Sequence, residues 1–231
     1  MISAILLCYA CAHGVLLFLT FKSTGPEGKD LIADKRLWYV RLLISAIIID
    51  NLTQAVGPMF IDAAFYEWPN RLRFALHAIM VPPILIFAVS ILILPFKNQL
   101  AAKTWMLLAC LLTALGVAYG VYHEIFMLEL QPADPAPMGH LKLVNAHSSP
   151  PWATILANLL TLPIAAWIWA KQQWRWLLFG AGFIFIVNGA AAAAEWGFLA
   201  GNFAEIVFVA SLWRTALYFN PGRRQAESQE S

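Results

Sequence analysis

Apolar residues run along this chain in seven long stretches with short polar breaks between them: 2–21, 37–60, 71–95, 104–127, 150–170, 175–196 and 199–219. A helix needs about 20 mostly apolar residues to cross the hydrocarbon of a bilayer. The pattern therefore predicts an all-α polytopic membrane protein, a seven-transmembrane-helix bundle over residues 1–220. A polar tail, 221–231, is expected to be disordered. Almost no loop separates the last two stretches, so they should form a tight hairpin around Gly197–Gly201. The longest break, 128–149, is rich in proline, which disfavours a long helix. It is either a lid over one mouth of the bundle or a plain connector. Gly116 and Gly120 form a GxxxG pair, and Gly189 with Ala190–Ala194 makes a smooth face; both predict close helix contacts.

Composition agrees with the pattern. The 231 residues are 61% apolar and 12% charged, whereas a soluble chain is about 45–50% apolar and about 25% charged. The net charge of +2, with no basic patch interleaved with aromatics, argues against a nucleic-acid partner. Basic residues alternate between breaks. Lys22, Lys29, Lys35, Arg36, Arg41, Lys97, Lys103, Lys171, Arg175, Arg214, Arg223 and Arg224 fall on one side, and only Arg71, Arg73 and Lys142 on the other. The positive-inside rule then puts the N-terminus outside and the C-terminus in the cytoplasm, which fits an odd number of spans. The expected location is a bacterial inner (plasma) membrane, crossed many times. No Lys or Arg precedes Lys22, so the first stretch reads as a retained span rather than a signal peptide. Cys8, Cys11 and Cys110 make no disulfide framework, and the Cys8–Cys11 spacing sits inside an apolar helix.

The polar residues inside the spans carry the functional information. A charged group in hydrocarbon costs about 2.5–3.5 kcal/mol on insertion scales, so it needs a partner and usually a purpose. Asp50, Asn51 and Gln54 lie in the second span and Arg73 and His77 in the third. His123 and Glu124 end the fourth, Asn158 lies in the fifth, Asn188 in the sixth, and Asn202 and Glu205 in the seventh. At 1.5 Å per residue these fall mostly in the outer half of the membrane. The inner halves hold mostly Leu, Ile, Val, Phe and Ala. Helical spacing puts Asp50 with Gln54 on one stripe, Asn70 with Arg73 and His77 on another, and Asn202 with Glu205 on a third. An unpaired buried charge is the costly case, so Arg73 is expected to pair with Asp50 or Glu205.

A single polar layer suits a pocket open towards the outer leaflet, with a membrane lipid or lipophilic small molecule as its ligand. Acid–base chemistry would use Asp50 or Glu205, one of them held by burial as the protonated acid, with His77 as partner. Asn51, Gln54, Arg73, His123, Glu124, Asn158, Asn188 and Asn202 would bind substrate, and Arg73 would orient a carboxylate or an anionic head group. Two cofactor readings compete. Zinc would take His77, His123 and His147 with a carboxylate, although no HExxH spacing exists. A b-type haem would take two of His13, His77 and His123, in an electron-transfer subunit for haem or quinone. The identity of any cofactor, and the oligomeric state, stay open. In the plainest alternative the polar residues only lock helices together in a non-catalytic subunit. The last span has no lysine for a retinal Schiff base, and no GxSxG, Walker or dinucleotide fingerprint occurs.

The segments IDN at 49–51, NRLRFALHAIMVPP at 70–83 and GNFAE at 201–205 resemble a group of uncharacterised bacterial multispan proteins. The residues that carry the likeness are Asp50, Asn51, Asn70, Arg71, Arg73, His77, Pro82, Gly201, Asn202 and Glu205. That group brings no mechanism with it. Size and span number are also similar to the small integral-membrane terpene cyclases, which work with intramembrane carboxylates. Alkaline ceramidase-type hydrolases share the span number and orientation, but their metal-binding histidine pattern is absent here. These likenesses imply a lipid- or isoprenoid-converting enzyme: a cyclase, isomerase or hydrolase.

Overall fold

The computed structural model describes residues 1–23, 35–147 and 150–220. The tail 221–231, expected to be disordered, lies outside the described residues, as do 24–34 and Ser148–Ser149. The helices are α1 (Ile2–Lys22), α2 (Lys35–Phe60), α3 (Glu67–Met80), α4 (Ile84–Leu92), α5 (Gln99–Val121), α6 (Trp152–Gln172), α7 (Trp176–Ala191) and α8 (Gly197–Tyr218). Between α5 and α6 lies an antiparallel hairpin of β1 (Leu130–Pro132) and β2 (Leu143–Asn145), with Leu130 opposite Asn145.

Among the described residues, five helical segments are long and apolar enough to cross a membrane. They are α1, α2, the run Ala64–Leu92 that contains α3 and α4, Gln99–Phe126 and α6. The apolar helix α7 has 16 residues, about 24 Å at 1.5 Å per residue. The 22-residue α8 is long enough, but Asn202, Glu205 and Arg214 lower its hydropathy.

The stretch expected as one span at 71–95 is broken. Proline has no N–H, and its ring clashes with the carbonyl four residues earlier. Pro82 and Pro83 therefore end α3 at Met80, and α4 starts at Ile84. Side chains from other helices take up the carbonyls at the break. The Tyr39 hydroxyl donates to the Met80 carbonyl (3.1 Å) and the Thr113 hydroxyl to the Pro82 carbonyl (3.4 Å). Gly116 and Gly120 face this same place. A Cβ on Gly116 would lie 3.2 Å from Pro82, and one on Gly120 3.0 Å from Ala78. The GxxxG contact expected from sequence is thus the α5 face that packs on the broken helix. The Gly189–Ala194 face does not pack that way: Gly189 has open space beside it, and Ala190, Ala192 and Ala193 are exposed.

The bundle has two unlike ends. Around the start of α2 and the end of α8 lies the main apolar core, built from Leu37, Val40 and Ile44, with Phe87 and Ile91 of α4, Ile168, Leu177 and Leu212. Arg41 is buried there and donates to the Thr20 carbonyl (2.9 Å), one of the last carbonyls of α1 that lacks a helical partner. The other end carries the hairpin. Its loop crosses α2 where Gly57 has no side chain, and a Cβ at 57 would run into the Leu141 carbonyl oxygen. His140 is buried and its Nε2 meets the Gln54 carbonyl at 3.0 Å. Lys142 Nζ sits 4.0 Å from the Phe198 ring centroid. The described part of this stretch, 128–147, is therefore packed against α2 rather than running free of the bundle.

Gly57→Ala should therefore lift the hairpin off α2. Overpacking of this kind costs about 1–3 kcal/mol. We expect a lower melting temperature in detergent and faster proteolysis within 128–147; unchanged proteolysis would remove Gly57 as the seat of the hairpin.

Candidate functional site

Three elements meet at Arg73. Asp50 and Gln54 lie one turn apart on α2, and Asn70, Arg73 and His77 form a stripe on α3. The guanidinium donates through Nη1 to Asp50 Oδ1 (2.9 Å), through Nε to Asn70 Oδ1 (3.1 Å) and through Nη2 to the Leu143 carbonyl of β2 (3.0 Å). The other Asp50 oxygen accepts from Gln54 Nε2 at 2.7 Å. Asn70 donates on to the Tyr66 carbonyl (2.8 Å), and the Tyr66 hydroxyl donates to the Thr53 carbonyl (2.7 Å). Both oxygens of the carboxylate and all three nitrogens of the guanidinium are thus engaged by protein. Of the two partners expected for Arg73, the structure chooses Asp50.

This knot forms one wall of two neighbouring cavities that share lining residues. The deeper one, about 80 Å³, lies among α2, α3, α4, α6, α7 and α8. The outer one, about 380 Å³, lies under the hairpin. Asp50, Arg73, His77 and Glu205 line both. Asn158 and Asn188 line only the deeper cavity, whose walls are otherwise mainly apolar, with Leu43, Ile47, Met80 and Phe208. Glu124, Asn145, His147 and Asn202 line only the outer one. His77 Nε2 lies 3.0 Å from the Thr154 hydroxyl of α6. The ring's tautomer decides which of the two donates. Glu205 Oε2 and Asn158 Oδ1 are buried and have no hydrogen-bond partner among the described residues.

No family model, curated protein or solved structure matches the chain. The residues themselves therefore carry the reading of the site.

Three of the expected substrate-binding residues line neither cavity. Asn51 is fully buried; it donates to the Ile47 carbonyl (3.0 Å), and its oxygen accepts from Asn202 (3.2 Å). It joins α2 to α8, because a neighbour of Asp50 on a helix points about 100° away from it. Gln54 stands behind Asp50 and orients it. His123 lies against the rings of Tyr119 and Tyr122, with centroids 4.3 and 5.1 Å away. Arg73 does line the site, but the role expected for it changes: its nitrogens hold protein rather than offering a free anion site. The expected zinc donors also part company. His77 meets Thr154, His123 meets Tyr119, and His147 pairs with Glu129 at 3.2 Å. Among the described residues no three His, Cys, Asp or Glu side chains form a metal-binding group. His13, weighed as a haem ligand, is buried with Nδ1 2.8 Å from the Tyr9 carbonyl and Nε2 unpartnered.

Sequence reading missed the hairpin's part in the site. The Leu143 carbonyl, which holds Arg73, Asn145 on the outer cavity wall and Thr154, which holds His77, belong to it, and His140 ties the hairpin to the Gln54 carbonyl. No local spacing marks them, because their partners are dozens of residues away. In the hairpin, burial pulls Lys142 down to about 8, with Arg73 nearby adding to the shift and Asp50 opposing it. Burial also lowers His140 from its ordinary value, Lys142 adding to this and the bond to the Gln54 carbonyl opposing it.

Two outcomes follow. Arg73→Leu leaves Asp50 without its counter-charge. Removing one partner of a buried pair costs about 3–5 kcal/mol, towards the lower end here because the Asp50 side chain is 27% exposed. Adding Asp50→Leu should recover part of that loss, read as a coupling between the two changes in thermal unfolding. The second concerns Lys142. A lowered lysine pKa means that the unfolded chain binds more protons between about pH 8 and the ordinary lysine value. Stability should therefore rise with pH across that window, and Lys142→Met should flatten the rise in melting temperatures taken from pH 7 to 10.

Proposed function

We propose that this chain is an integral membrane enzyme that performs acid–base chemistry on a lipid or isoprenoid. In this reading α3 and α4 together make one span, and α7 and α8 complete seven. The N-terminus is outside and the C-terminus cytoplasmic, following the Lys and Arg distribution. A bacterial inner membrane is the setting, and the hairpin lies on its outer face. One observation carries the proposal: four ionisable side chains, Asp50, Arg73, His77 and Glu205, line both the deep cavity and the outer one. A side chain that serves only as helix glue is enclosed by protein, as Asn51 is. These four instead border open space.

The roles divide by what each group is bonded to. Asp50 and Arg73 saturate each other and form a fixed, nearly neutral frame. Glu205 Oε2 has no hydrogen-bond partner among the described residues, so its carboxyl is the group we assign to give or take a proton. His77 lies at the same wall and is oriented by Thr154. A positioned acid or base contributes about 10²–10⁴-fold to a rate. The apolar walls of the deep cavity exclude bulk water from that transfer.

Glu205→Gln keeps the shape and removes the exchangeable proton. We expect it to fold as the parent does and to lose about 10²-fold or more of a lipid conversion in membranes. Mass spectrometry of lipids from cells with and without the protein is the measurement. Identical lipid profiles for wild type, Glu205→Gln and an empty membrane would leave the non-catalytic reading in its place.

A further inference from the structure

The deep cavity leaves two buried acceptors without a hydrogen bond. The strongest donors on its wall are already in use: every nitrogen of Arg73 holds a protein oxygen, the Tyr39 hydroxyl donates to the Met80 carbonyl, and one bond joins Thr154 and His77. Glu205 Oε2 of α8 and Asn158 Oδ1 of α6 are buried without partners among the described residues, both residues line the cavity, and Asn158 is only 8% exposed. An unsatisfied buried acceptor is unfavourable, and a donor brought by a ligand would relieve it.

Size and charge narrow the ligand further. A space of about 80 Å³ holds a few waters or the end of a chain, and is far too small for a whole lipid. An anion there would meet Asp50 and Glu205, while Arg73, the one Lys or Arg on the wall among the described residues, is already paired with Asp50. Burying a charge without a counter-charge is strongly unfavourable.

We infer that the deep cavity takes the O–H or N–H donor end of a long-chain lipophile, an alcohol or an amine, and rejects a phosphate or carboxylate end. This rests on the proposed function and names its substrate class. The donor group bonds Glu205 and Asn158, and the chain leaves through the outer cavity beneath the hairpin. In that position the hydroxyl or amine lies beside Glu205, the group able to exchange a proton with it.

The test is native mass spectrometry of the full-length protein in detergent, titrated with hexadecan-1-ol, hexadecylamine and hexadecyl phosphate. These probes share one chain and differ at the end group. We expect the alcohol or the amine to bind about tenfold more tightly than the phosphate, and Asn158→Leu to weaken that binding about tenfold. Alcohol without amine, or amine without alcohol, identifies which donor is meant. Phosphate binding as tight as either overturns the inference, and so does alcohol and amine binding indifferent to Asn158→Leu. The wild-type comparison of end groups stands even if the variant does not fold. Failure here is separable from failure of the enzyme reading. A Glu205-dependent conversion of a lipid phosphate or acid keeps the enzyme and ends this inference. Donor-selective binding without any lipid conversion does the reverse.

Discussion

Arg73 reaches an aspartate on α2, an asparagine on its own helix and a backbone carbonyl in the hairpin at the same time. Much of the polar end of the bundle depends on that reach. A cation in hydrocarbon needs its charge compensated and its N–H groups bonded, and here one side chain obtains both by drawing three separate elements together. Asp50 is held by the same arrangement, with Gln54 on its second oxygen. A planar guanidinium with donors on three nitrogens is suited to this, whereas a lysine would offer a point charge. The pair therefore does two jobs. It makes a buried aspartate tolerable and it holds the hairpin.

The rest of the molecule divides around that knot. Away from it, large aliphatic side chains fill the space between helices, and the buried Arg41 closes the end of α1. Near it, Asn51 is bonded to Asn202 between α2 and α8 and Asp50 to Arg73 between α2 and α3, while Glu205 and Asn158 on the cavity wall each keep a buried oxygen without a partner among the described residues. Glue and site lie at the same depth. Helix rotation separates them.

Hydropathy was enough to find the helices, because lipid forces whole segments to be apolar and no tertiary contact can hide that signal. The polar layer was also legible: Asp50, Arg73, His77 and Glu205 do line one place. Rotation about each helix was harder to read. Asp50 and Asn51 are adjacent, and only packing decides which of them meets the cavity. The break at Pro82–Pro83 was visible as two prolines, yet the apolar run passes straight through it, and a window that counts apolar residues does not register a missing N–H. The hairpin was the least legible part. His140 finds its partner, the Gln54 carbonyl, in the second helix, and Leu143 offers only its backbone. Neither leaves a pattern in nearby residues.

The double-proline break also has a mechanical consequence. It splits one crossing into two pieces with separate moorings. α4 is buried on most sides among the aliphatic side chains, with Ile84, Ala88 and Ile91 almost wholly hidden. α3 is held instead by Arg73 to α2 and the hairpin, by Ala78 against α5 and by His77 to α6. The backbone that carries His77 is thus moored to the polar end of the bundle, and the two halves of one crossing answer to different neighbours.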